Sequence, residues 1–193
     1  MQNSVMKVAI IGAGPRGLWA SEELMERSRE RGAAIDVTVF DAKPLEESSA
    51  PGAFRDSVPE EFILNAPKSI VETKLGPLDP NDELPGDFPS RKHVGEHLDK
   101  SWCALEENLP PRCSLTHRVE NIEMVEPTDS GVDVLGEHFD EVLMVTGHAH
   151  DWPGSLAHAD LGDLKVVAPA YPPSNLDAVD ADDVALVRVH RVQ

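Results

Sequence analysis

The chain has 193 residues and a formal net charge of −18, from 35 acidic and 17 basic residues. This charge argues against a nucleic-acid partner and against an anionic membrane surface, because both are bound through clustered Lys and Arg side chains. The length fits one domain, or part of a two-domain enzyme. The two cysteines form no CxxC pair, and no apolar run is long enough for a signal peptide or a membrane helix, so we expect a reduced, soluble, cytoplasmic protein.

The N-terminal part of the chain has the pattern of a strand–helix–strand unit. The apolar run at 6–11 ends at a glycine and predicts a strand that is buried on both faces. Residues 15–31 have helical spacing, with one narrow face of apolar and small residues, and with charged side chains such as Glu22 pointing elsewhere. Residues 35–40 predict a second strand that ends at Asp41 and runs parallel to the first, because a helix crosses between them.

A glycine-rich turn joins the first strand to the helix, with the pattern Gly12-x-Gly14-x-x-Gly17. In a dinucleotide-binding unit the first glycine allows the tight turn, the second leaves room for a pyrophosphate, and the third lets the helix pack closely on the strand. The helix N-terminus also offers N–H groups to phosphates. Asp41 can accept hydrogen bonds from ribose hydroxyls and would repel a 2′-phosphate, which favours FAD or NAD over NADP. The alternatives are an ordinary strand–helix turn and a turn or capping aspartate.

The middle of the chain is less regular. Residues 43–91 are rich in Pro, Gly, Ser and Asp, and they predict a long irregular insertion that is either functional or disordered. A helix is predicted over 94–105, and His93 to His97 just at its start spell the H-x-x-E-H pattern of some zinc peptidases. A glycine inside that pattern weakens the helix, and we predict no metal site.

Residues 114–147 have the pattern of several strands. Short strands are expected at 114–117, 118–126 and 131–136. The last two of these are expected to form a hairpin. An apolar strand at 142–145 then ends in Thr146 and Gly147.

A strand that ends in a Thr-Gly pair behind a small meander resembles the second flavin fingerprint of flavoproteins with two dinucleotide-binding folds. More narrowly, the chain resembles the FAD/NAD(P)-binding family that includes the flavin-dependent urate-hydroxylase-like proteins. The segments that carry the resemblance, in the family's order, are VAIIGAGPRGL, VTVFDAKPL, EFILNAPKSIV, FPSRKHVGEHL and DEVLMVTGHA. The resemblance implies an α/β, Rossmann-like three-layer FAD-binding fold with a parallel sheet and a small antiparallel meander.

The same resemblance implies a role for each matching position. FAD would be the cofactor, with its pyrophosphate lined by the glycine turn and its adenosine ribose held by Asp41. Val119 would contact the adenine through its backbone, and Asn65 would lie on the isoalloxazine side, where the alternative is a turn asparagine. The implied cofactor-binding residues are Gly12, Gly14, Pro15, Arg16, Gly17, Asp41, Asn65, Val119, Thr146 and Gly147. No residue stands out as a catalytic acid or base.

The resemblance also predicts how the chain is divided. Residues 1–150 would form the FAD-binding Rossmann-like domain, and 151–193 a linker with the first strand of an incomplete NAD(P)-binding domain. That strand is expected at 184–188, and the second glycine turn of the family does not follow it. We therefore expect a C-terminally truncated member, in which uncovered apolar surface favours a homo-oligomer or low stability.

The function expected of a complete relative is that of an FAD-dependent, NAD(P)H-dependent, monooxygenase-like oxidoreductase with a small-molecule substrate. Whether this chain turns over a substrate is left open. Two alternatives remain: a non-catalytic module that binds FAD or an adenine nucleotide, and an NAD-dependent dehydrogenase. The Thr-Gly strand behind the meander argues against the dehydrogenase.

Overall fold

The computed structural model describes residues 5–42, 54, 58–147, 162, 176–177, 179–180 and 182–184. The chain separates into two compact units, Met1–His148 and Ala149–Gln193. In the second unit the described residues form short turns, one of them closed by a 2.9 Å hydrogen bond from Val179 N to Leu176 O. Of the strand expected at 184–188, only Val184 is described, and it is exposed. The assignment of 151–193 to a linker and a first strand therefore stays a prediction.

Within its described residues, the first unit holds two α-helices, a parallel sheet and two small antiparallel sheets. Its elements in chain order are β1 (Met6–Ile11), α1 (Pro15–Arg31), β2 (Ile35–Asp41), a 3₁₀ turn (Lys68–Ile70), β3 (Glu72–Thr73), β4 (Gly76–Pro77), α2 (Arg91–Glu107), β5 (Ser114–Val119), β6 (Glu126–Thr128), β7 (Gly131–Val134), β8 (Glu137–Phe139) and β9 (Glu141–Met144). The predicted bounds of β1 and α1 are confirmed. No helix in the described part of the chain is both long enough and apolar enough to cross a membrane.

The parallel sheet has the strand order β5–β2–β1–β9. Met6 of β1 lies opposite Ile35 of β2, and Val8 lies opposite Glu141 of β9. The chain steps outward from β1 to β2 and β5, and then returns to place β9 on the other side of β1. Strand order thus reverses at β1, and open α/β sheets bind ligands at such a switch point, outside the carboxyl ends of the strands. The predicted α/β, Rossmann-like fold is confirmed.

Side chains of the central strands alternate between two layers, as the period of a strand requires. Val8 and Ile10 of β1 face the helices, in a core that includes Leu18 of α1 and Leu98 of α2. Ala9 and Ile11, the intervening residues of β1, join a second core on the opposite face of the sheet. Burial on both faces explains why the sequence of β1 is a continuous apolar run.

The second core is covered by the antiparallel sheet β6–β7–β8, which is the predicted meander. Val134 of β7 and Phe139 of β8 are buried there, and the Phe139 ring meets Phe40 of β2 edge to face, with centroids 5.9 Å apart. The strand predicted at 118–126 is wrong. Residues 120–125 form no strand, and Ile122 and Val125 pack on this core while the chain passes from β5 to the meander.

Helix α1 buries a carboxylate that its sequence pattern placed outside the core face. Glu22 is 4% exposed, and its Oε1 accepts a 3.0 Å hydrogen bond from the backbone N–H of Lys74. Lys74 lies between β3 and β4, so this hairpin covers the helix face that was expected to be solvated. Burial raises the pKa of Glu22.

The described part of the predicted irregular insertion is organised around one lysine. The ammonium group of Lys68 bonds to Oδ2 of Asp79 at 2.8 Å, to the carbonyl oxygen of Leu84 at 2.7 Å and to Oδ1 of Asp82 at 2.6 Å. The side chains of Lys68 and Asp79 are only 13% and 5% exposed. The hydrogen bond from Lys68 lowers the pKa of Asp79, and Asp79 raises the pKa of Lys68. The segment has a defined structure although it has little regular secondary structure.

Candidate functional site

The glycine turn lies at the carboxyl edge of the sheet, between β1 and α1. Gly12 has φ of +117°, and a Cβ there would lie 2.5 Å from the carbonyl oxygen of Val145, just after β9. A Cβ on Gly17 would overlap the carbonyl oxygen of Gly12. These two glycines are therefore required by the contacts of the turn with β9 and with α1.

The carboxylate of Asp41 holds the turn from β2. Its Oδ2 accepts a 2.8 Å hydrogen bond from the backbone N–H of Ala13, and Gly12 N–H donates to the Phe40 carbonyl at 2.7 Å. A carboxylate has two oxygens and accepts several hydrogen bonds. The contact with Ala13 is thus compatible with the predicted contact with ribose hydroxyls.

The N-terminus of α1 points its dipole at this edge. Gly14 is the N-cap residue, Pro15 is the first helical residue, and the first turn contains no acidic side chain. The first hydrogen bond of the helix runs from Leu18 N–H to Gly14 O at 3.0 Å, so the amides of Arg16 and Gly17 precede the helical ladder. The helix end carries a partial positive charge, and Arg16, which is exposed, adds a full one. The arrangement is suited to an anion.

Most of the other predicted residues lie at the same edge. Val119 ends β5, pairs with Asp41 and is 55% exposed. Thr146 and Gly147 follow β9 and are exposed, and the Thr146 Cα lies 3.3 Å from the position that a Cβ on Gly12 would take. The parallel sheet brings these residues together because it ends all four strands on one side.

Asn65 does not follow a strand of the parallel sheet and lies instead in the irregular segment before α2. It is exposed, and its neighbour Leu64 donates a 2.8 Å backbone hydrogen bond to Pro89, shortly before α2. Its assignment to the isoalloxazine side stays a prediction.

A contact that the sequence pattern did not identify joins α2 to the glycine turn. Trp102, which has no exposed surface, donates a 3.2 Å hydrogen bond from its indole Nε1 to the carbonyl oxygen of Ala13. Helical periodicity indicated that Trp102 faces the core, but a pattern of burial contains no information on the partner of an indole N–H.

His117 of β5 packs against the same indole. The two rings meet edge to face, with centroids 4.7 Å apart, and His117 Nδ1 lies 2.9 Å from Oε1 of Glu106. Burial lowers the pKa of His117, against the opposing effects of Glu106 and Asp41. Its Nε2 is buried and has no hydrogen-bond partner within the described structure.

The two histidines of the H-x-x-E-H segment bond to different hydroxyl groups. His93 Nδ1 lies 3.0 Å from the Ser90 hydroxyl, and His97 Nε2 lies 3.2 Å from the Thr73 hydroxyl. Across the residues that are described, no three His, Cys, Asp or Glu side chains are grouped to hold a metal ion. The absence of a metal site from this protein stays a prediction.

Comparison with known protein families gives a match over most of the first unit. The model of a family described as FAD-NAD(P)-binding matches residues 9–149, which is more than half of the chain. No curated protein matches the chain. The matched region runs from β1 to the residues just after β9, and so includes the glycine turn, Asp41 and the Thr-Gly pair. The chain belongs to the FAD-NAD(P)-binding family.

Proposed function

We propose that the carboxyl edge of the parallel sheet binds FAD and that the chain provides the flavin-binding part of an oxidoreductase. The observation that carries the proposal is the meeting of three features at one edge: the start of α1 behind the glycine turn, the carboxylate of Asp41, and the Thr146–Gly147 pair after β9. The match to the FAD-NAD(P)-binding family supports a nucleotide cofactor there.

The residues at this edge fit the ADP half of the cofactor. Backbone N–H groups at the start of α1 would hold the pyrophosphate, with the charge of Arg16 beside them. Gly14 has no side chain to stand in the way of the phosphates. Asp41 would accept hydrogen bonds from the adenosine ribose, and Val119 would border the adenine. The local charge also suits a phosphate, because the first turn of α1 contains no carboxylate that would repel one.

FAD is favoured over NAD as the resident cofactor by the second fingerprint. Thr146 and Gly147 follow the strand on the other side of the switch point from Asp41, where the second half of a dinucleotide would lie. The preference for FAD rests on the resemblance of this Thr-Gly strand, behind the meander, to the second flavin fingerprint. Bound FAD would supply the transfer of electrons between a nicotinamide nucleotide and an acceptor. The protein's own part is to bind the dinucleotide and to orient its two halves.

The activity class that we propose is monooxygenase-like, with NAD(P)H as reductant and a small molecule as substrate. This part rests on the resemblance of the five quoted segments to the urate-hydroxylase-like flavoproteins. We expect the irregular insertion to help shape the substrate site, and in its described segment from Val58 to α2 the Lys68 ammonium bonds to Asp79 and to the Leu84 carbonyl.

A spectrum tests the proposal. The purified protein, before and after incubation with FAD and removal of unbound cofactor, should show a flavin absorption band near ~450 nm. FAD should also raise the melting temperature more than NAD does, since a ligand stabilises the state that it binds. A protein that remains colourless and is stabilised by NAD alone would indicate the dehydrogenase. Anaerobic addition of NADPH tests turnover: bleaching of the bound flavin would show that the given chain accepts electrons from NADPH, whereas unbleached flavin fits both a flavin-binding part and a binding module without turnover.

A further inference from the structure

The peptide groups on both sides of Ala13 are held by side chains from two different elements. On one side, the Ala13 N–H donates to Oδ2 of Asp41 on β2 at 2.8 Å. On the other, the Ala13 carbonyl accepts the indole N–H of Trp102 on α2 at 3.2 Å. Ala13 is 1% exposed and Trp102 is fully buried, so the hydrogen bond between them is shielded from bulk water, whereas the contact with Asp41 is partly buried.

The contact with Trp102 orients the amide of the next residue. The Ala13 carbonyl and the Gly14 N–H belong to one planar trans peptide, in which the C=O and N–H bonds point in opposite directions. A carbonyl turned towards Trp102 therefore turns the Gly14 N–H away from α2. The Ala13 N–H is already engaged by Asp41, so Gly14 provides the first amide of the turn that is available to a phosphate.

The indole itself is held in place. The indole and the His117 ring meet edge to face, and the His117 ring bonds to Glu106, four residues after Trp102 on α2. A donor whose orientation is set by packing lowers the cost of arranging the turn when a ligand binds.

We propose that Trp102 is a positioning residue for nucleotide binding: its indole N–H fixes the Ala13–Gly14 peptide so that the Gly14 N–H faces the pyrophosphate of the bound cofactor. The inference rests on the proposed function. A Trp102 that only fills the core would affect stability, whereas a positioning residue also affects the Gly14 amide and the affinity for the nucleotide.

The sharpest test replaces Trp102 by its analogue with sulfur in place of the indole N–H, which keeps the shape of the ring and removes the donor. Calorimetric titration with FAD and with ADP should give dissociation constants about 3- to 10-fold higher than those of the unmodified protein, as expected for one buried hydrogen bond. With [¹⁵N]glycine labelling, the amide resonance of Gly14 should shift in the ligand-free analogue protein, while that of Gly136 in the meander should not.

Two variants made from ordinary amino acids support the test. Trp102→Phe also removes the donor and should weaken FAD and ADP binding at least as much as the analogue does. Phe139→Leu, at an equally buried aromatic residue on the other face of the sheet, should lower the melting temperature without changing either dissociation constant. Unchanged affinity and an unchanged Gly14 resonance in the analogue protein would overturn the inference alone. An unmodified protein that binds neither FAD nor ADP would overturn the proposed function, and the inference with it.

Discussion

At the scale of single residues, the three glycines of the motif have different roles. Gly12 and Gly17 are explained by the protein's own backbone, because a Cβ at either position would run into a carbonyl oxygen of the turn or of the residues after β9. These two glycines would be needed with or without a nucleotide. The features that point to a nucleotide are therefore Gly14 with the amides at the start of α1, the carboxylate of Asp41 and the Thr146–Gly147 pair.

Gly17→Ala tests the packing role of the third glycine. Alanine is favoured over glycine in a helix by about 1 kcal/mol. The added methyl group would meet the Gly12 carbonyl, and overpacking against a fixed group costs typically about 1–3 kcal/mol. We expect a lower melting temperature in thermal unfolding. The control is Gly32→Ala at the C-cap of α1. A Cβ there would be in open space, so any destabilisation would come from the left-handed backbone and not from overpacking. A Gly17→Ala protein as stable as the wild type would contradict the packing argument.

Asp41→Asn tests the role of the carboxylate towards ribose. The amide oxygen of asparagine can still accept the Ala13 N–H, so the turn should persist, but the negative charge is lost. Because a carboxylate repels a 2′-phosphate, the ratio of the affinity for 2′-phospho-ADP to that for ADP, measured on the FAD-free protein, should rise by about 3- to 10-fold, and FAD binding should weaken. Calorimetric titration measures all three ligands. Asp36→Asn, at the amino end of the same strand, is the control and should change none of the affinities. An unaltered ratio of 2′-phospho-ADP to ADP affinity in Asp41→Asn would argue that Asp41 only holds the turn.

At the scale of elements, long-range contacts decide features that local patterns miss. Glu22 is buried because the β3–β4 hairpin covers α1, and the hairpin in turn is held on α2 by a hydroxyl network. In this network Ser101 donates to the His97 carbonyl at 2.7 Å, Thr73 lies 2.7 Å from Ser101 and 3.2 Å from His97 Nε2, and the His97 ring bonds to the backbone of Gly76.

The pH dependence of stability should report on His97. Burial, helped by Lys100, lowers the pKa of His97 below its ordinary value, despite the hydrogen bond to Gly76. Between the lowered folded pKa and the unfolded value near 6.5, the unfolded chain binds more protons, so this histidine makes stability fall as the pH falls. We expect His97→Gln to have a smaller difference in melting temperature between about pH 8 and about pH 5.5 than the wild type has.

Lys100→Gln provides a matched variant for the same experiment. Removing that positive charge should raise the pKa of His97 and reduce the same temperature difference, though less than His97→Gln does. Identical pH profiles for the wild type and both variants would show that His97 does not contribute.

Lys68→Met tests how the segment before α2 is held. The substitution leaves Asp79 nearly buried without its ammonium partner, while the backbone N–H groups of Glu83 and Leu84 still reach it. We expect a lower melting temperature and faster proteolytic cleavage within 78–87. The ion pair lowers the pKa of Asp79, so its stabilising effect is present above about pH 4 and is lost as the pH falls through the folded pKa. The wild type and the variant should therefore converge in acid.

The control for this prediction is Lys74→Met. Lys74 pairs with Glu26 and Glu23 on the surface and is 54% exposed, so solvent screens the pairs and the melting temperature should change little. Equal cleavage rates in Lys68→Met and the wild type would contradict the role of Lys68.

At the scale of the whole molecule, charge is the dominant global property. A net charge of −18 over 193 residues makes the folded state repel itself. Raising NaCl from about 0.02 M to about 0.5 M shortens the Debye length several-fold, and we expect the melting temperature to rise. The effect should nearly vanish at a pH close to the isoelectric point, where the same salt series serves as the control. A melting temperature that does not depend on salt at pH 7 would mean that self-repulsion is unimportant.

Elements whose signals are local can be predicted from the sequence alone. The strand β1, the helix α1 and the end of β2 at Asp41 follow from runs, periodicity and a glycine turn within a short stretch of chain, and the resemblance placed the meander and the Thr-Gly pair in order. Three features are visible only in the folded structure: the burial of Glu22, the absence of the predicted strand at 120–125, and the hydrogen bond from Trp102 to Ala13. The reason is physical: these features depend on contacts between segments far apart in the chain, and the spacing of residues along one segment contains no record of the partner it will meet.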